Sequence, residues 1–137
     1  MCSSDLPADL VHLHWIPGLL GVADLPRIRR PLVWTFHDQW PTCGAEHYTA
    51  SARPREGYSA RNRVPGSSGI DLDRWTWERK RARWKELAPI VVCPSRWLAG
   101  EVRASHLFGG ADVRVVPNPL DTALYRPRDR EIGRAHV

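Results

Sequence analysis

His12, His14, His37, Asp38 and His47 are the residues whose types and spacing could do chemistry. His12 and His14 stand two apart in "VHLHW", so on an extended chain they face the same way. With His37 they could form a metal-dependent hydrolase site, to which Asp38 or His47 would add a further ligand. The stretch "PLVWTFHDQWP", Pro31 to Pro41, offers a second chemistry. An apolar, β-branched run leads straight into His37 and Asp38. A neutral imidazole at a strand end gives one hydrogen bond and accepts another. Adjacent strand residues point apart, so a backbone partner, rather than the Asp38 carboxylate, is expected to orient His37. Backbone partners are expected for His12 and His14 too. The plainer alternative for His37 and Asp38 is a pair that caps the strand end.

Alternating elements must position these residues. "ADLVHLHW" (Ala8–Trp15) reads as a strand, with Leu10, His12 and His14 on one face and Val11, Leu13 and Trp15 on the other. "VADLPRI" is at most a short helix, because Pro26 must lie in its first turn. "PLVWTFHD" is apolar on both faces, as a central parallel strand is. Thr42 to Ser68 has no period and is a long excursion, functional or disordered. "DLDRWTWERKRARWKEL" (Asp71–Leu87) is the strongest helix. Asp71 or Asp73 caps it, Glu78 reaches Arg81, and Trp77, Lys80 and Trp84 share a side. "PIVVCP" is a third strand, "SRWLAGEVRASHLF" a helix capped by Ser95, and "VRVVPNP" a fourth strand. Strands alternating with helices predict a parallel α/β sheet with right-handed crossovers. Ligands of such sheets bind beyond the carboxyl ends of the strands. His14, His37, Ser95 and Asn118 all fall on that rim.

Composition narrows the partners. The chain has 137 residues and a formal net charge of +5. Lys80 and Lys85 are its only lysines beside 18 arginines. Arginine favours carboxylate and phosphate partners. Arg79, Lys80, Arg81 and Arg83 interleave with Trp75, Trp77 and Trp84, a pattern open to a basic polyanion-binding module. A helix that buries its tryptophans and solvates its arginines is the plainer reading, with no nucleic acid as partner. No apolar run spans a membrane, and no leader pattern is visible at the amino terminus. The three cysteines form neither metal spacing nor an even framework, which fits a reducing compartment. The expected location is cytoplasmic, with the positive charge suited to peripheral association with the inner face of the membrane.

The ends differ from the rest. "MCSSDL" and "EIGRAHV" both read as translated sequencing adapter, in frame at opposite ends. Residues 1–6 and 131–137 are therefore expected to be artefacts, and 7–130 an internal piece of a longer protein. Such a piece is expected to leave a strand edge or sheet face uncovered.

The blocks "VHLHW", "PLVWTFHDQWPTCGAEHY", "DLDRWTWERKRARW", "VVCPSRWLAGEVRAS" and "VRVVPNPLDTALYRP" occur in this order. Together they resemble the family-four glycosyltransferases, retaining enzymes built from two Rossmann-like domains, and most of all bacterial members acting on cell-surface polysaccharide. The resemblance implies that 7–130 is a partial acceptor-side Rossmann-like domain. It implies a nucleotide-sugar donor held by a second domain, and a glycan or lipid-linked acceptor. His37 would be catalytic, and His14, Asp38, Trp40, Ser95, Arg96 and Asn118 would bind substrate. No cofactor and no metal are called for. Two departures stand out. Many relatives carry a cysteine cluster after the "HD-x-W-P" block, where Cys43 stands alone here. The Gly-rich loop that usually opens the domain is missing, and so is the donor domain. The chain alone is expected to be inactive.

Overall fold

Four short runs rich in β-branched residues become strands: β1 (Val11–Leu13), β2 (Leu32–Thr35), β3 (Ile90–Cys93) and β4 (Asp112–Val115). In the computed structural model, which describes residues 8–127, they pair in parallel in the order β1-β2-β3-β4. The adapter-like segments 1–6 and 131–137 lie outside the described residues. The connections carry a 3-10 turn (Leu25–Arg27), a one-turn helix α1 (Arg53–Glu56), helix α2 (Leu72–Trp84) and helix α3 (Arg96–Ala104). The architecture is the α/β, Rossmann-like one expected.

Register decides which side chains share a face. Leu13, Trp34, Val91 and Val113 stand side by side across the sheet. They are joined by Phe36, Cys93, Leu98, Ala99, Val102 and Phe108 in one apolar core. Trp34 is its centre. Its ring meets Phe36, Trp84 and Phe108 edge to face, at centroid distances of 4.9, 5.6 and 6.1 Å. Each such pair is worth about 0.5–1.5 kcal/mol beyond the area it buries. The opposite face carries His12, Val33, Ile90 and Asp112 in one row. Ile90 there is 42 % exposed and Val33 is half-buried. Successive strands are sheet neighbours, and crossovers of one hand between them put every connection on the same side, which is why a single face is covered.

Local chemistry sets the element ends. Asp71 caps α2 by accepting from the Arg74 N–H at 3.0 Å. Ser95 caps α3 by accepting from the Leu98 N–H at 3.1 Å. Glu78 pairs backwards with Arg74 at 2.8 Å, not forwards with Arg81, because the i, i+4 spacing puts the groups one above the other. β1 is shorter than Ala8–Trp15. The His14 carbonyl leaves the ladder and instead accepts from Trp34 Nε1 at 3.0 Å.

Candidate active site

The carboxyl rim gathers the histidines, but with partners the sequence reading did not foresee. His37 follows β2 and is exposed. Its Nε2 lies 3.0 Å from Nδ1 of His14, with the two rings stacked 5.3 Å apart. His12 Nε2 lies 2.8 Å from the Thr35 hydroxyl. The expected backbone partners are thus replaced by side chains in all three cases. The parallel register brings β1 and β2 side chains within reach across the strand pair, a contact invisible to reasoning along one strand. Asp38 does point away from His37, as expected. Its two oxygens serve the loop: Oδ1 accepts from the Trp40 N–H at 3.0 Å, and Oδ2 lies 2.6 Å from His47 Nδ1.

His14, Trp15, Trp34, His37, Asp38 and Trp40 line one shallow crevice beyond the strand ends. Four of the expected site residues, His14, His37, Asp38 and Trp40, therefore come together. Ser95, Arg96 and Asn118 do not line that crevice. Ser95 spends its hydroxyl on the helix cap, and Arg96 and Asn118 are exposed. The hydrolase alternative finds no support in the geometry. Among the described residues, no three His, Cys, Asp or Glu side chains are placed to hold a metal ion. The reason is visible: the histidines are already committed to Thr35, to each other and to Asp38.

The loop beneath the rim is built around Lys80. This side chain is fully buried between Trp77 and Trp84 on the inner face of α2. Its ammonium donates to the carbonyls of Trp40, Cys43 and Gly44 at 2.5, 3.1 and 2.7 Å. It also lies 3.8 Å from the centroid of the Trp40 ring, a cation–π contact. Burial drives its pKa down to about 7. The loop and α2 touch closely at Gly44, where a Cβ would sit 2.3 Å from the Asp73 carbonyl oxygen. Tyr58 donates to the Glu46 carboxylate, and burial raises the pKa of both groups. Arg53, also buried, is paired with Asp71 at 2.6 Å. The excursion from Thr42 is therefore anchored from below by buried polar groups. The signal for Lys80 was in the sequence, as one of two lysines among many arginines and spaced three and four residues from Trp77 and Trp84. Cys43 and Cys93 are buried thiols, each pushed up to about 11 by burial.

A one-sided parallel sheet with a crevice beyond its strand ends defines a Rossmann-like α/β domain. The model of Glycosyltransferase Family 4 matches residues 4–124, and the chain belongs to that family. No curated protein and no solved structure matches the chain. Among the described residues no helix is long and apolar enough to cross a membrane.

Proposed function

We propose that this protein is the acceptor-side part of a retaining hexosyltransferase. It would move a sugar from a nucleotide-sugar to a glycan or lipid-linked acceptor in bacterial surface polysaccharide synthesis. The observation that carries the reading is the His14–His37 pair on the carboxyl rim of a family-four domain. An imidazole–imidazole hydrogen bond needs one N–H and one lone pair. When His14 Nδ1 donates, neutral His37 holds its proton on Nδ1 and keeps a donor for the ligand. That donor would stabilise charge as the diphosphate leaves. His14 would fix the tautomer and the ring angle. The donor nucleotide would be held by a second α/β domain, as in the two-domain enzymes the sequence resembles. The 137-residue chain alone should then transfer no sugar. Arg79, Arg81 and Arg83 are exposed on α2 and suit peripheral contact with an anionic membrane surface.

The deciding experiment is steady-state kinetics of the chain joined to its donor domain. His37→Ala should lower kcat by roughly a hundredfold or more, about 3–4 kcal/mol of transition-state stabilisation. KM should move far less, because the bond strengthens as charge develops. Unchanged kcat would reduce His37 to a strand cap.

A further inference from the structure

A second crevice, of about 400 Å³, lies between the end of α1 with the loop after it, helix α2, and His106 just beyond α3. It shares no residue with the rim crevice beside His37. Its wall includes Trp77, which is only 2 % exposed. The Trp77 ring stacks on Tyr58 at 5.5 Å and 29°, and meets His106 at 5.3 Å. Yet its indole N–H is fully buried with no acceptor among the described residues. A buried donor without an acceptor is costly, and native proteins rarely keep one without a reason. A Cβ on Gly57 would lie 3.2 Å from Cη2 of the ring and 3.7 Å from Cζ2. Cζ2 is two bonds from Nε1, and Gly57 itself lines the crevice, so the N–H lies at the crevice wall.

Cations gather at the same place. Arg61, Arg81 and His106 line the crevice, and the Arg81 guanidinium sits 5.6 Å over the Trp77 ring. Arg61 and Arg81 take part in none of the ion pairs among the described residues. Asn62 fixes the turn that presents Arg61. It accepts from the Ser59 N–H at 2.9 Å and donates to the Gly57 carbonyl at 2.8 Å. A turn held this way loses little further freedom when a ligand binds.

We infer that this crevice is a binding site for a phosphate monoester, held by Arg61 and Arg81, with the Trp77 indole N–H and an imidazole N–H of His106 as further donors. The inference goes beyond the transferase reading and does not depend on it. Two guanidiniums and two neutral donors suit a group with three strongly accepting oxygens and close to two negative charges. A carboxylate is satisfied by one guanidinium fork. Glu56, also on the wall, repels any anion, which favours a ligand that engages both arginines at once. An apolar ligand would leave the indole N–H unpaired.

The experiment is an NMR titration of the full 137-residue chain, following the indole N–H signals at constant ionic strength. The probes are phenyl phosphate, inorganic phosphate and acetate. The two phosphates should move the Trp77 N–H downfield and saturably, as a donor that gains an acceptor does. Arg61→Gln and Arg81→Gln should each weaken that binding by about tenfold, the loss of one charge-assisted bond. Arg79→Gln, on α2 but outside the crevice, should leave it unchanged. A Trp77 signal that moves with neither phosphate would overturn the inference. So would acetate binding as tightly as phosphate, which would make the ligand a carboxylate. Equal weakening by Arg79→Gln and Arg81→Gln would also sink it, since that marks diffuse attraction to a positive surface. The wild-type titration decides the first two outcomes even if a variant fails to fold.

Discussion

The top and the underside of one loop obey opposite rules. On top, His37, His47 and Tyr48 are exposed; the two histidines bond other side chains and the Tyr48 hydroxyl bonds the His37 carbonyl. Underneath, Lys80 is sealed from water and three backbone carbonyls depend on it. Exposed polar pairs are worth little to stability. Each buried carbonyl left without its donor costs about 1–3 kcal/mol. The lesson is a division of labour within about ten residues. The underside fixes the loop's path, and the top is free to be spent on chemistry.

That contrast can be broken most forcefully at Lys80. Lys80→Met fills similar space but leaves the carbonyls of Trp40, Cys43 and Gly44 without their donor. With several buried acceptors left unsatisfied, it should cost about 2–4 kcal/mol by urea denaturation. A loss below about 1 kcal/mol would mean the ammonium is not the anchor. Gly44→Ala comes next. Its methyl group meets the Asp73 backbone at 2.3 Å, and backbone cannot swing aside like a side chain. A loss of about 1–3 kcal/mol is expected.

Proton linkage gives a subtler probe of the underside. The unfolded chain binds a proton on Lys80 below the usual 10.5, but the folded chain only below about 7. The unfolded state holds more protons between those values, so this lysine makes stability rise with pH across that window. Cys43 and Cys93 act in the opposite sense. Their pKa rises from the usual 9.0 to about 11 on folding, so stability falls once pH passes 9. Stability should therefore climb from pH 7 to 9, by at most roughly 1.4 kcal/mol per pH unit, and level or fall above that. Denaturation midpoints at several pH values would show the climb. Lys80→Met should abolish it.

Smaller effects sharpen the comparison. Ser95→Ala removes the α3 cap and should cost about 1 kcal/mol, read as a shift in melting temperature. On the top of the loop, His37→Ala should change stability by less than about 0.5 kcal/mol. A large loss there would erase the distinction between top and underside.

How much of this was legible in sequence differs by element. The alternation of apolar runs and capped helices was enough to derive a parallel sheet. Ser95 was readable as a cap, and Asp71 or Asp73 as another, because a cap is a local event, set by residues three apart; the structure chose Asp71. The position of His37 on the carboxyl rim followed from the same logic, since a parallel sheet puts every strand end on one edge. The partners of that histidine did not follow. His14 and His37 are 23 residues apart, and only the register of β1 against β2 makes them neighbours. Glu78 pairs with Arg74 four residues back rather than with Arg81 three residues on, because a helix offers partners in both directions and spacing alone does not choose between them.

The sequence by itself determined the periods and end signals. Apolar stretches, a helix that segregates Trp77, Lys80 and Trp84 from its arginines, and histidines at strand ends are all properties of neighbours along the chain. Tertiary structure decided what those groups touch. It drew a lysine into the interior because three carbonyls and two tryptophan rings converge there. It set the Tyr48 hydroxyl on the His37 carbonyl and the Tyr48 ring against Trp97. Periodicity tells which side of an element a residue occupies. Distances between elements are set by sheet register and by the path of the loop, and neither is encoded locally.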